Sequence, residues 1–470
     1  MSVSWNCIAV FLAIVAAGFA YELAPFANEK PMVALVAAIF PLLGIALFHV
    51  PALQCLPPGP RVILVLLALR PLVDMSFAFQ TVSPAFTLKA SSELSLQEAF
   101  AAVFGLAMFA VSIAQHQRIR FTNAPNIFLM FLVGLTSISW VIGGLAEGTR
   151  GFARTVWGLL VALLLGTLFQ TEKQIDVFLR AVFYSSALVL MTLALNLSSG
   201  LAGDRWEPVF RLGGQYGSPN ALAGVALSFF LVGLYVVGRA PTASRLIWSF
   251  LLLLLLAAAI YETQSRTVGA LMLLSVCIRL WASRQRLILF GVTAPLLAFL
   301  FLASSGTGWR LLSSFSLASN QGDTHVLTLQ GRTLLWGIWL ENYMRASVFH
   351  KAFGLGWGVM LRKFLSMGFP TSSVTESSFL WLFIGTGALG LLSFCAYLVW
   401  VLSKSWCTWR NSTSNFQREF ALLIFLATVC FVVECFTTDV ASSPNANVYI
   451  FSLMSIFVLR RVRETRSIEL

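Results

Sequence analysis

Apolar runs of about 16 to 22 residues recur along most of the chain, parted by short polar turns. A helix of that length crosses the hydrocarbon core of a bilayer. The runs predict spans at 4–20, 32–49, 62–79, 98–115, 125–142, 153–169, 180–197, 219–237, 246–261, 267–281, 287–304, 377–400, 417–435 and 445–459. The fold class is all-α, a polytopic transmembrane helical bundle of about twelve to fourteen spans. One interval breaks the pattern: residues 305–376 form the only long polar stretch, and loops of such length are functional or disordered. Within it Thr333 to Ala346 reads as an amphipathic helix on or near the membrane surface. Leu335, Trp339, Tyr343 and Met344 lie near one face, with Glu341 and Asn342 elsewhere. The chain thus divides into a bundle at 1–304, a large loop at 305–376 and further spans at 377–470, the two sets of helices packed as one domain.

Composition excludes a soluble domain. Hydrophobic residues make up 58% and charged residues 11%, where soluble domains carry about a quarter charged; the mean hydropathy is +0.84. Met1 to Ala20 lacks a basic leading region and reads as a retained first span. The seven cysteines are scattered, several within spans (Cys277, Cys395, Cys430), with no CxxC spacing, and read as small apolar fillers. A net charge of +12 would suit nucleic acid, but the basic residues lie between spans and form no stripe, so topology explains them.

That topology can be read back from the C-terminal basic cluster, Arg460, Arg461, Arg463 and Arg466. If it is cytoplasmic, alternate loops place Lys404, Arg410 and Arg418; Arg279, Arg284 and Arg286; Arg239 and Arg245; Lys173 and Arg180; Arg118 and Arg120; and Arg61 on the same side. Segment 436–444 carries Asp439 and no basic residue, as an outer loop should. Both termini then lie inside and the long loop outside.

The exceptions carry the chemistry. Arg150, Arg154, Arg205, Arg211, Arg266, Arg310, Arg332 and Arg345 fall on the outer side, and Arg154 and Arg266 sit at or just inside apolar runs, where a charge is expensive. They serve either as ion pairs with Glu147, Asp204, Glu207 or Glu262, or as a set around a shared anionic ligand, whose phosphates guanidinium forks match well. The segment Arg211 to Asn220 is glycine-rich and ends in Ser218-Pro219-Asn220, a helix start facing an arginine, or a plain turn. Gln264-Ser265-Arg266 opens a span, as a ligand or as a snorkelling side chain. Glu376, between Thr375 and Ser377 at the head of an apolar run, is a helix cap or a general base.

These motifs resemble the family of O-antigen ligases and O-antigen polymerases, membrane glycosyltransferases. The resemblance covers roughly residues 210 to 400. It rests on the Arg211–Asn220 stretch, the Ser265-Arg266 span start, and the outer loop with Gly331-Arg332, Trp336 and Gly354-Leu355-Gly356. A polar head and Gly387-Ala388-Leu389-Gly390 then follow in the next span. It implies inverting, metal-independent transfer without a cofactor on the periplasmic face of a bacterial inner membrane. The donor would be an oligosaccharide on undecaprenyl pyrophosphate, the acceptor a glycan or lipid, and a flippase and a chain-length regulator possible partners. Arg211, Arg266 and Arg332 would hold the pyrophosphate, with Arg154, Asn220, Trp336 and Ser377 as further substrate contacts. Ligases of the family often have a histidine heading the Gly-x-x-Gly span, where this chain has Glu376-Ser377-Ser378. Glu376 therefore becomes the candidate base, and the polymerase reading moves ahead of the ligase. A lipid-linked sugar transporter or flippase is the rival from another class; it predicts paired repeats, and the sequence shows none.

Overall fold

In the computed structural model the apolar runs are helices. The structure describes residues 49–80, 104–112 without 106, 124–198, 219–282 without 241 and 264, 329–357, 377–437 and 444–469. Among these the helices are α1 (Pro58–Gln80), α2 (Ala124–Gly143), α3 (Leu145–Leu164), α4 (Glu172–Ser198), α5 (Pro219–Val237), α6 (Ala243–Glu262), α7 (Arg266–Ala282), α8 (Leu329–Met344), α9 (Val348–Phe353), α10 (Ser378–Asn411), α11 (Asn415–Thr437) and α12 (Pro444–Glu469). Six are long and apolar enough to cross a membrane: α2, α4, α5, α6, α10 and α11. Shorter apolar stretches run through α3, α7 and α12. The chain is a multi-pass helical bundle. The expected spans 4–20 and 287–304, and nearly all of 32–49, lie outside the described residues.

The starts are written locally. Proline opens α1, α5 and α12, where its missing N–H costs nothing and its fixed φ suits a helix. Thr242 caps α6, its hydroxyl accepting from the Arg245 amide at 3.4 Å. Helix α4 begins eight residues before its predicted span, because Asp176 at that end accepts from Arg180 at 2.7 Å and draws the charged turn into the helix.

Asp176 also faces Arg239, in the turn after α5, at 3.8 Å, and that guanidinium lies over the rings of Tyr235 and Phe416. Arg279 at the end of α7 pairs with Glu419 at the start of α11. Trp281, Trp406 and Trp409 gather near them, an arrangement expected at an interface. Thus Arg180, Arg239 and Arg279, from three loops predicted to share a side, meet at one end of the bundle. This is the basic end; the turns α2–α3 and α6–α7 and the beginnings of α5 and α12 lie at the far end. Mid-bundle, the buried Arg70 of α1 sits over Trp157 of α3 at 5.6 Å.

Helix α10 is not one rod. Gly387 has φ 75° and ψ −174°, which no helix continues. Phe379 and Phe394, fifteen residues apart, would be about 22 Å apart along a straight helix, yet their ring centroids are 6.1 Å apart. Residues 378–386 therefore form a half-helix folded sharply against the spanning part, 388–411. Both phenylalanines meet α11, through Phe436 and Phe431 respectively.

Candidate functional site

The break in α10 is closed by the segment from Ala352 to Trp357. Bending at Gly387 denies the carbonyls before it their usual helical partners. The Leu355 amide donates to the Ile384 carbonyl at 2.8 Å, and the Ser139 hydroxyl of α2 donates to that of Gly385. Such crossings leave no room for side chains. A Cβ on Gly354 would overlap the Gly385 carbonyl, one on Gly387 the Ala352 carbonyl, and one on Gly356 the backbone of Gly143. Gly354 and Gly356 also have φ of 93° and 87°, the left-handed region glycine tolerates. Trp357 then stacks on Trp381 of the half-helix at 4.7 Å and occupies the space beside Gly385. The two glycine motifs that carried the family resemblance, 354–356 and 387–390, are thus parts of one junction.

Helix α8 lies over this junction. The expectation of a helix at 333–346 holds, with a start at Leu329, but its face divides differently. Trp339 and Tyr343, one turn apart, are buried, Tyr343 against Phe383 at 4.2 Å, while Met344, a further 100° round the helix, is exposed. The Tyr343 hydroxyl donates to the Lys351 carbonyl and binds α9 to α8. Burial holds this phenol above its usual pKa, the Ala388 amide working against it, so it remains a donor at neutral pH.

The predicted site residues fall as follows. Asn220 is the second residue of α5, Arg266 the first of α7, and Arg332 and Trp336 lie in the first two turns of α8. Arg154 lies midway along α3, just before its apolar stretch. Arg211 and Glu376 lie outside the described residues. Ser377 is buried and caps the half-helix: its hydroxyl accepts from the Leu380 amide at 3.4 Å and donates to the Cys435 carbonyl of α11 at 3.1 Å. In this arrangement the Ser377 hydroxyl joins two helices.

Next to Cys435 stands a residue the sequence reading passed over. Glu434, one turn from the far end of α11, is 1% exposed, the most deeply buried carboxylate among the described residues. One turn below it, Cys430 touches Ser275 of α7 at 3.4 Å, so Glu434 lies at the outer part of the α7–α11 contact. Asn447 and Tyr449, in the first two turns of α12, are likewise buried. The signal was available, since a single acid inside the run Phe420 to Phe436 is costly in a membrane and marks function or a paired charge.

The far end therefore combines a broken spanning helix, the helix pair α8–α9, and buried polar groups on α10, α11 and α12. Backbone that leaves helical geometry within a bundle is tolerated only where protein or a water-filled cavity covers it; here the Gly354–Trp357 segment does so. No protein-family model matches the chain, and no curated protein matches it.

Proposed function

We propose that this chain is a membrane glycosyltransferase that polymerises undecaprenyl-pyrophosphate-linked oligosaccharide repeat units, acting on the periplasmic face of a bacterial inner membrane. The observation carrying this reading is the asymmetry of the bundle. Arg180, Arg239 and Arg279 meet acids at the basic end, and α5 and α7, whose first turns hold Asn220 and Arg266, start at the opposite end, where α10 is broken.

In the proposed reaction Arg211, Arg266 and Arg332 bind the diphosphate of the donor. The acceptor hydroxyl attacks the anomeric carbon from the face opposite the diphosphate, Glu376 takes its proton, and the bond from carbon to phosphate oxygen breaks with its electrons going to the leaving diphosphate. Prearranged guanidinium groups stabilise charge that grows as that bond opens. Neither metal nor cofactor is called for. Glu376 in place of a histidine favours the polymerase over transfer to a lipid A core. The packing of residues 339–357 of the long loop on the broken helix favours an enzyme over a flippase.

Purified protein in nanodiscs, given lipid-linked repeat units, tests the proposal. Extended glycan on the lipid is expected. Arg266→Ala should abolish it, and Arg266→Lys should restore little, because a point charge replaces a fork. Normal polymer from Arg266→Ala would overturn the mechanism. Transfer only to a lipid A core would select the ligase, and movement of the lipid-linked sugar across the bilayer without new bonds would select the flippase.

A further inference from the structure

The outer helix pair has a second face. While Trp339 and Tyr343 turn inward, Leu340, Met344, Val348 and Phe349 are 43%, 66%, 83% and 53% exposed. Leu340 and Met344 are one helical turn apart on α8, and Val348 and Phe349 open α9 directly after the Ser347 cap. Four large apolar side chains within ten residues are too many to stand in water without a purpose.

Their position indicates what covers them. Helix α9 packs against α10 and against α2. Gly356, three residues beyond α9, lies on Gly143 at the last turn of α2, and the Ser139 hydroxyl reaches the break in α10 at the same level. Helix α2 spans the membrane, and Ile138 and Val141 in its final turns are exposed apolar residues of the lipid-facing belt. The patch thus continues that belt at the edge of the hydrocarbon layer. Its fringe holds two basic residues: Arg345, paired with Glu341, is exposed, and Lys351 follows in α9. A second copy of the chain fits less well. Four side chains on six-residue α9 and the last turns of α8 fall short of the roughly 800 Å² per partner that a stable interface buries.

We infer that Leu340, Met344, Val348 and Phe349 insert into the leaflet at the far face, with α9 lying at the boundary of headgroups and acyl chains and Arg345 and Lys351 meeting anionic phosphodiester headgroups. Interfacial helices bind in this way, through apolar area on one side and basic residues at the rim. Residues 340–357 are then held on two sides, to α10 through Gly354 and Leu355 and to lipid through this patch. The inference concerns the bilayer and does not depend on the enzymatic reading.

The full chain, carrying a nitroxide amino acid at 348, 349, 341 or 141 and placed in nanodiscs of phosphatidylethanolamine and phosphatidylglycerol, provides the test. Positions 348 and 349 should collide with oxygen several-fold more than with a water-soluble nickel chelate, as position 141 does, and position 341 should show the reverse. Nickel access at 348 and 349 equal to that at 341 would overturn the inference. So would exclusion of both reagents with dipolar broadening, which would show a second copy covering the patch. Gel filtration of each labelled protein controls for folding. Exchanging phosphatidylglycerol for phosphatidylcholine should make 348 several-fold more accessible to nickel, and an Arg345→Gln, Lys351→Gln variant should no longer respond to the exchange. An unchanged response in that variant would overturn the headgroup contact.

Discussion

Gly354 and Gly387 illustrate what single residues decide here. Each holds a positive φ and lies against a carbonyl of the other strand of the junction, so alanine at either meets both strain and overlap. Thermal unfolding in detergent should show a loss of about 2 to 4 kcal/mol for Gly354→Ala and for Gly387→Ala. Gly337 of α8 and Gly269 of α7 are the contrast. A Cβ there meets nothing within 4 Å and the backbone is helical, so Gly337→Ala and Gly269→Ala should be neutral or gain up to about 1 kcal/mol. Glu434 poses a different question. Glutamine keeps the size of the side chain and its capacity to hydrogen bond, so Glu434→Gln should leave the unfolding midpoint little changed. If the carboxylate serves the far-end chemistry, the same change lowers glycan extension; full turnover with an unchanged midpoint would give it no part in that chemistry. For Glu376→Gln, unaltered turnover would assign the base elsewhere.

Among the elements, α10 departs furthest from what its sequence suggests. An apolar run at 377–400 predicts one span, and helix does fill it. The period of the side chains continues across the glycines, so no pattern of apolar residues announces the bend. What creates it is the competition for carbonyls: Leu355 and Ser139 supply donors from other parts of the chain to replace those lost within the helix. Ser139→Ala should therefore leave the Gly385 carbonyl short of a donor and cost about 1 to 3 kcal/mol, with faster amide exchange in α9 and at Leu355 than in α5. Equal exchange in the variant and the parent would show that the glycine crossing holds the junction without the serine. The opposite case is α5, whose predicted bounds 219–237 coincide with the helix, since Pro219 fixes its start and nearly every side chain is apolar and buried.

At the scale of the whole molecule, the arrangement of charge orders the bundle. The pair Arg279–Glu419 joins α7 to α11 with both side chains almost fully covered. Glu419→Ala would strand a buried guanidinium, and a loss of about 3 to 5 kcal/mol in unfolding free energy is expected. Replacing both partners by apolar residues of similar volume should recover most of it. Sidedness is checked separately: reporter fusions in the turn at 412–414 should be active in the cytoplasm, and those at 264–265 outside it. The reverse result would turn the bundle over and remove the proposed reaction from the periplasmic face.

Much of this was legible in the sequence because the bilayer imposes it. Length and hydropathy of the runs determined that the chain is a helical membrane bundle, since a span must satisfy its own backbone in lipid. The alternation of basic loops correctly grouped Arg180, Arg239 and Arg279 at one end. It also listed Arg211, Arg266 and Arg332 as exceptions, because their charge is local information. The tertiary structure alone decided which contacts those patterns serve. It folded the head of α10 back on itself, made one junction of two glycine motifs some thirty residues apart, engaged Ser377 as a tie between helices, and turned Met344 away from Trp339. Those outcomes depend on which backbone groups come within hydrogen-bond reach of one another, a property of pairs of distant segments that no single stretch of residues contains.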